Sequence, residues 1–266
     1  MSIGTKAGKR RAIIFSIVKP HCFFYTRVLM KKSTLLSLLT IMLFSASFVF
    51  GAHHKSNKGW ATLFDGKSLT GWIRSKENPD SYTVKNGTLI LKGGRSHLFY
   101  SGSVGGANFK NFELKLQAKT MANSNSGVYF HTKYQDSGWP DQGFEAQVNT
   151  SHKDPKKTGS LYAVANVYVA MKPEPAFIVR VDKSGAQIWQ EAAPSTDGEW
   201  FDYHIIVVDD MVTLKVNGET TVNWTEPKDW KGPVNMAGRV LGSGTIASPC
   251  PPKTKLSTFL TGILSS

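Results

Sequence analysis

The chain has 266 residues and a formal net charge of +13, but this charge is unevenly distributed. Positions 1–52 contain eight Lys or Arg residues and no Asp or Glu, which is typical of a targeting segment. The remaining residues carry 24 basic against 19 acidic side chains, so their excess is only +5. The high positive charge is therefore largely a property of the leader, and the rest of the sequence does not support nucleic-acid binding.

Residues 30–52 have the pattern of a secretory signal peptide. Met30 and two lysines precede an apolar run over residues 35–50, and two small residues follow it. Residues 1–29 are interpreted as an over-extended gene model, with a genuine extension or a retained membrane anchor as the alternatives. The pattern predicts a periplasmic or secreted protein with no stable membrane span after cleavage, because the run is short for a bilayer.

The exported part is predicted to be a single domain. Residues 53–58 form a polar lead-in, and residues 59–266 suit one all-β unit with enough chain to bury a sizeable core. Of the two cysteines, Cys22 lies in the leader and Cys250 near the C-terminus. Cleavage would leave one thiol and no intramolecular disulfide, so packing must stabilise the core.

Short alternating runs separated by turn residues follow one another along this domain. Asn86-Gly87 and Asn217-Gly218 each join two such runs, and they predict hairpins because both central residues of a type I′ turn need positive φ. The glycine-rich passage at 93–106 is interpreted as a flexible loop, since it lacks the lysine and helix of a phosphate-binding loop. No helical period is sustained, so the sequence predicts an all-β antiparallel sandwich or jelly roll.

One strand and the loop after it contain the greatest variety of reactive groups. In residues 144–149, apolar side chains alternate with Glu145, Gln147 and Asn149. Glu, Gln and Asn are poor strand formers, so this polar row predicts a concave, ligand-facing surface. The alternative is the solvated face of an ordinary antiparallel sheet. The loop that follows contributes His152, Asp154, Lys156 and Lys157.

Six short motifs then fall in a recognisable order. They read WATLFDGKSLTGW at 60–72, NSGVYF at 125–130, GFEAQ at 143–147, TGSLY at 158–162, GEW at 198–200 and VNG at 216–218. Each motif alone is weak, but this order over residues 59–245 resembles the 3-keto-disaccharide hydrolase family. The resemblance implies a concanavalin A-like β-sandwich that is exported in bacteria and acts on 3-keto-glycosides.

The resemblance also implies lyase and hydratase chemistry. A ketone at C3 acidifies the C2 proton of the sugar, so a base can remove it and the C1 aglycone can leave. Water then adds back to the unsaturated sugar. Such a site needs a base of suitable pKa, a cation or metal to stabilise the enolate oxygen, and an acid near the leaving group.

Glu145 is the first candidate for the base or for a metal ligand. His131 is the second catalytic candidate, because it lies at the end of the NSGVYF strand, although the family more often carries an Arg there. The strand 127–131 is expected to place Tyr129 and His131 on one face. Glu145 and His131 on neighbouring strands would suit a divalent metal acting as a Lewis acid. The alternative for His131 is an ordinary hydrogen-bonded histidine.

Further candidates are assigned by side-chain chemistry. His152 and Tyr162 are candidates for the acid or for sugar contacts, and Gln147 and Asn149 for recognition of hydroxyl groups. The remaining predicted substrate-binding residues are Tyr129, Trp139 and Lys157. Aromatic side chains of sandwiches are more often core residues, which is the alternative for the tyrosines and the tryptophan.

Two other functions remain open from the sequence alone. An ordinary glycosidase needs two carboxylates across the scissile bond, and beside Glu145 the sequence offers only the loop acids Asp136, Asp141 and Asp154. A non-catalytic, lectin-like carbohydrate-binding module is the main alternative, because the same fold supports both functions. An enzyme needs a second titratable group or a metal beside Glu145, whereas a lectin needs only hydroxyl and stacking contacts.

The C-terminal residues 248–266 depart from the family pattern. The family closes its sandwich with an apolar strand that carries an aromatic pair and an Asn, but here a Pro- and Lys-rich stretch precedes residues 257–261. A shifted reading frame at 257–261 would permit Val-Tyr-Phe-x-Asn. We therefore hypothesise a frameshift, and an altered closing strand is expected to leave a sheet edge poorly covered.

Overall fold

The structure is a computed structural model. It describes residues 59–170, 177–182, 185–252 and 257–265. The predicted extension at 1–29, the signal peptide at 30–52 and the lead-in at 53–58 lie outside the described residues, as do 253–256 and 266 within the atypical C-terminus.

Strands account for most of the regular structure in this part of the chain. They are β1 (Trp60–Thr62), β2 (Trp72–Arg74), β3 (Tyr82–Lys85), β4 (Thr88–Leu91), β5 (Ser96–Tyr100), β6 (Phe112–Lys119), β7 (Ser126–Thr132), β8 (Phe144–Val148), β9 (Ala165–Val169), β10 (Phe177–Asp182), β11 (Gly185–Gln190), β12 (Trp200–Val208), β13 (Met211–Val216), β14 (Glu219–Thr225), β15 (Thr245–Cys250) and β16 (Ser257–Ser265). Two short 3₁₀ segments, Pro79–Ser81 and Val104–Ala107, are the described helical elements.

The strands form three sheets. The large sheet has the order β14-β13-β12-β6-β16-β4-β3 with β1 paired to β16, the five-stranded sheet has the order β2-β5-β15-β7-β8, and a small sheet has the order β10-β11-β9. Among the described strands, every pair is antiparallel except β11 with β9. The predicted all-β, concanavalin A-like sandwich is confirmed.

The core lies between the large sheet and the five-stranded sheet. Along β6 the side chains of Phe112, Leu114 and Leu116 are buried in alternation with more exposed polar ones, as the period of two predicts. From the opposite sheet, Phe130 packs against Phe112 with ring centroids 5.8 Å apart. One face of the five-stranded sheet is thereby fixed against the core, and its other face is left to form a site.

The two predicted hairpins have the expected backbone geometry. Asn86 and Gly87 have φ of 51° and 77°, and Asn217 and Gly218 have φ of 51° and 85°. These turns join β3 to β4 and β13 to β14, which pair directly. Short-range turn chemistry therefore determined these parts of the large sheet.

The prediction of a flexible loop across 93–106 is wrong for its central part. Residues Ser96–Tyr100 form β5, all five of them buried, and β5 pairs with both β2 and β15. A strand buried on both faces lacks the polar alternation that marks a half-exposed strand, so its flanking glycines dominated the sequence pattern.

A β-bulge interrupts β7 next to His131. The pairing of β7 with β15 shifts between Thr132↔Thr245 and Tyr129↔Ala247, and His131 has φ of 54°. An extra residue in one strand breaks the period of two. The prediction that Tyr129 and His131 share a face is therefore wrong: the His131 ring packs against Phe130, a core residue.

The C-terminal strands take interior positions in both sheets. β15 lies between β5 and β7, and β16 lies between β6 and β4. Pro249 within β15 cannot donate to a ladder, and its carbonyl instead accepts a hydrogen bond of 2.7 Å from the Ser126 hydroxyl. In the sequence as given, the backbone of β16 pairs with β6 and β4, so these strands have no open edge on that side. The frameshift stays a hypothesis.

Among the described residues, no helix has the length and apolar character needed to cross a membrane.

We expect Asn217→Ala to destabilise the fold by about 1–2 kcal/mol, because alanine resists the left-handed backbone and removes the acceptor of the Asp202 N–H bond at 3.0 Å. Urea unfolding would measure this change. Asn217→Gly is the control: it should cost less, because glycine keeps the backbone conformation. Equal losses in both variants would contradict the role assigned to the turn.

Candidate active site

A cavity of about 570 Å³ lies on the outer face of the five-stranded sheet. Its floor includes the outward side chains of β7, β8 and β15, where Tyr129 faces Glu145 on one side and Ala247 on the other. The cavity is lined by Asn125, Ser126, Tyr129, Trp139, Pro140, Asp141, Glu145, Gln147, Tyr162, Asn235, Met236, Ala237, Gly238, Arg239, Pro249 and Pro251. A concave surface is therefore present at Glu145 and Gln147 of the polar row, and its role in ligand binding stays a prediction.

Glu145 is the titratable group at the centre of this floor. The residue is only 7% exposed, and desolvation raises the pKa of its carboxyl to about 7, against the smaller lowering effects of the Arg239 charge and of a hydrogen bond from Tyr129. A carboxyl group with this pKa exchanges a proton readily near neutral pH. That property is the one required of a general base or acid.

Gly127 on the neighbouring strand makes room for this carboxylate. A Cβ at position 127 would lie 2.6 Å from the Glu145 Oε1 atom and 2.7 Å from its Cγ. Any larger residue would displace the carboxylate, so the glycine of the NSGVYF motif has a direct steric role in the site.

Arg239 supplies the positive charge next to Glu145. Its Nη1 donates to the Gly143 carbonyl at 2.8 Å, its Nη2 lies 3.9 Å from Glu145 Oε2, and its Nη2 donates to the Tyr129 hydroxyl at 3.4 Å. The Arg239 carbonyl accepts a bond of 2.7 Å from the indole of Trp230, which fixes the loop. Sequence reasoning missed this residue, because nothing in its loop context distinguishes it from other arginines.

Tyr162 brings a hydroxyl group to the cavity wall. Its backbone N–H donates to the Glu145 carbonyl at 2.9 Å, and its hydroxyl donates to Asp154 Oδ2 at 3.2 Å. Burial, followed by the Asp154 charge, raises the pKa of the phenol to about 12. Tyr162 therefore stays protonated at neutral pH and can donate a hydrogen bond or a proton.

The polar row of β8 divides between two roles. Gln147 lines the cavity, and its amide donates to Asn125 at 2.7 Å. Asn149 instead holds the following loop, because its amide donates to the carbonyls of Asp154 and Lys156 and its Oδ1 accepts from the His152 N–H. The structure thus brings Gln147 to the site and leaves Asn149 outside its lining.

His152 and Lys157 also lie in the loop and not in the cavity lining. The His152 Nδ1 accepts from the Asp154 N–H at 3.1 Å, and the Lys157 ammonium donates to the carbonyls of His152 and Asp154 at 2.8 and 3.0 Å. Their contacts order the loop that presents Asp154 to Tyr162. Tyr129, Tyr162 and Trp139 line the cavity, and their role in substrate binding stays a prediction.

His131 is also outside the cavity lining. Its Nε2 lies 2.9 Å from the Lys110 carbonyl and its Nδ1 accepts from the Gly242 N–H at 3.3 Å, so backbone groups engage both ring nitrogens. The described residues contain no cluster of three or more His, Cys, Asp or Glu that could hold a metal. The predicted Glu145–His131 metal pair therefore does not fit this arrangement.

These features place a buried carboxylate and an arginine in a cavity on a concanavalin A-like sandwich, and comparison with known proteins gives the family. Residues 59–247 match the 3-keto-alpha-glucoside-1,2-lyase-like domain, so the chain belongs to that family. A carbohydrate is the partner that fits it.

Individual relatives are more distant. A 3-keto-disaccharide hydrolase of Bacteroides thetaiotaomicron is 31% identical over 78 residues, which is 27% of each chain, so the alignment spans about a quarter of that relative. Two solved structures from Parabacteroides distasonis, named as candidate glycosyl hydrolases, are each 20% identical; both comparisons cover 78% of this chain and 98% or 93% of theirs, with TM-scores of 0.54 and 0.52. At this identity they show the fold alone.

We expect Glu145→Gln to stabilise the protein more at pH 8 than at pH 5. The pKa of Glu145 in the folded protein, about 7, lies above its reference value of 4.5. The wild type therefore loses stability as the pH rises from 4.5 to about 7, by about 3 kcal/mol in total. Urea unfolding at both pH values would measure the difference. Glu219→Gln, at an exposed position, is the control, and the same pH trend in both variants would contradict the burial argument.

We expect His131→Ala to lower the free energy of unfolding by about 2 kcal/mol, because it removes a buried ring and two contacts to the backbone. Chemical denaturation would measure this loss. A loss of catalytic activity at unchanged stability would instead indicate a catalytic role for His131.

Proposed function

We propose that the protein is a periplasmic or secreted enzyme that cleaves 3-keto-glycosides by elimination followed by hydration. The observation that carries the proposal is the buried Glu145 carboxyl, with a pKa of about 7, on the wall of a cavity that also contains a buried arginine. Membership of the 3-keto-alpha-glucoside-1,2-lyase-like family supports the substrate class.

In the first half of the proposed reaction, the Glu145 carboxylate takes the C2 proton of the 3-keto sugar. The electron pair of the broken C–H bond forms an enolate with the C3 ketone, and negative charge develops on the ketone oxygen. Arg239 is the cation that the cavity lining offers for that charge, with its Nη2 atom 3.9 Å from Glu145 Oε2. Fixed charges and dipoles in a dry site stabilise such an intermediate strongly.

In the second half, the enolate re-forms the ketone, the C1–O bond breaks, and the leaving oxygen takes a proton. Tyr162 is the neutral donor on the cavity wall. Its hydroxyl donates to Asp154 before the reaction and turns from Asp154 to the leaving oxygen to transfer its proton. Water then adds to C1 and gives its proton to the Tyr162 phenolate, while C2 regains a proton from Glu145, so both the acid and the base are restored. The products are the 3-keto sugar and the released alcohol or sugar.

Side chains of the cavity supply the base, the cation and the acid in these steps. Because the Glu145–His131 pair does not fit a metal site, the proposed steps assign the electrophile to Arg239. Chelation nevertheless belongs in the test: loss of activity with EDTA would assign the electrophile to a metal and not to Arg239.

We expect the protein to release free sugar from 3-keto-trehalose and 3-keto-lactose, with kcat/KM falling on the acid side of about pH 7 as Glu145 is protonated. Glu145→Gln should lose at least about a hundredfold in kcat. Arg239→Gln should shift the acid limb to higher pH, because the Arg239 charge lowers the Glu145 pKa. Coupled detection of released glucose across a pH series would measure all three.

The outcomes separate the candidate functions. A Glu145→Gln variant that retains wild-type kcat would contradict the proposed base. A folded protein that binds these sugars without cleaving them would be a lectin-like binding module, the other function that this fold supports.

A further inference from the structure

Trp139 lines the same cavity as Glu145. The tryptophan is carried by the loop between β7 and β8, lines the cavity, and has 43% of its surface exposed. A large exposed aromatic ring on a cavity wall is a surface on which the apolar face of a sugar ring can stack. The reaction proposed above makes no use of it.

Contacts from β5 and the segment after β2 hold this ring in place. The Arg95 guanidinium lies 5.9 Å from the Trp139 ring centroid, and the His97 ring packs edge-on against it at 5.4 Å. Glu77 binds Arg95 at 2.8 Å and accepts the Gly138 N–H at 2.9 Å, so one carboxylate joins the arginine to the tryptophan loop. The orientation of Trp139 is therefore built before any ligand arrives.

The sheet separates the strand that supports Trp139 from the strand that carries the reacting group. Glu145 is on β8 and His97 is on β5, three strand spacings apart across β7 and β15, which is about 14 Å between the two backbones. The Tyr129 ring lies between them, 5.7 Å from the His97 ring. Pro249 of β15 lines the cavity together with Trp139.

We propose that Trp139 and Pro249 form a second subsite that binds the leaving sugar, so that the enzyme selects 3-keto-disaccharides over 3-keto-glycosides of small alcohols. Arg95 and Glu77 are positioning residues that fix the ring of Trp139. The proposal rests on the proposed function for its substrate, but its binding part can be tested separately.

The test compares two α-glucosides that differ only in the leaving group, 3-keto-trehalose and methyl 3-keto-α-glucoside. Trp139→Ala should raise KM for the disaccharide about tenfold and leave KM for the methyl glycoside unchanged. Trp200→Ala is the matched control, since Trp200 is 44% exposed and also lies under a cation, Lys119 at 5.5 Å, but is on the large sheet. Equal changes for both substrates would overturn the subsite.

A binding experiment separates failure of the subsite from failure of the proposed function. In a Glu145→Gln background the sugars should bind without turnover, and intrinsic fluorescence would report the dissociation constants. Adding Trp139→Ala should weaken disaccharide binding about tenfold and methyl glycoside binding not at all. If the wild type cleaves neither sugar, the proposed function fails, while this comparison still decides the subsite.

Substitution of a positioning residue should change KM for the disaccharide and leave kcat unchanged. Glu77→Gln should raise KM for 3-keto-trehalose by a few-fold with kcat unchanged, because it loosens the orientation of Trp139 without reaching the reacting atoms. KM for the methyl glycoside should stay the same. A fall in kcat, or an equal rise in KM for both substrates, at an unchanged melting temperature would overturn the positioning role.

Discussion

The site depends on one buried carboxylate. Glu145 is desolvated on the cavity floor, which the five-stranded sheet forms, and this burial raises its pKa to about 7. The cost of burying a potential charge is offset by Tyr129 and Arg239, which lie close enough to stabilise the ionised form. Gly127 leaves the space that the carboxylate occupies. The sandwich provides the strands that carry this group, and a loop supplies its partner Arg239.

Polar residues near the site fall into two sets that the sequence does not distinguish. One set lines the cavity, as Glu145 and Gln147 do. The other set satisfies backbone groups of the surrounding loops, as Asn149 and Lys157 do. Buried polar groups require partners in either case, so burial alone does not mark a catalytic residue. The lining of the cavity and the perturbed pKa of Glu145 together separate the two sets.

The fold is shared by enzymes and by carbohydrate-binding modules, so function has to be argued from the site. A binding module needs stacking surfaces and hydroxyl partners, and Trp139 and Gln147 would provide them. A carboxylate and an arginine can also hydrogen-bond sugar hydroxyls, but recognition does not require a carboxyl pKa of about 7, whereas proton abstraction near neutral pH does. This pair of residues is therefore the physical basis for favouring an enzyme.

The sequence by itself determined the local features. The hairpins at Asn86 and Asn217 follow from turn chemistry, and the placement of Glu145 and Gln147 on one face follows from the period of two. Tertiary structure decided the rest. The bulge turned His131 away from the face of Tyr129, and β5 became a buried strand only because β2 and β15 pair with it. Arg239 reaches Glu145 from a distant loop, and such long-range proximity has no signature in a single sequence.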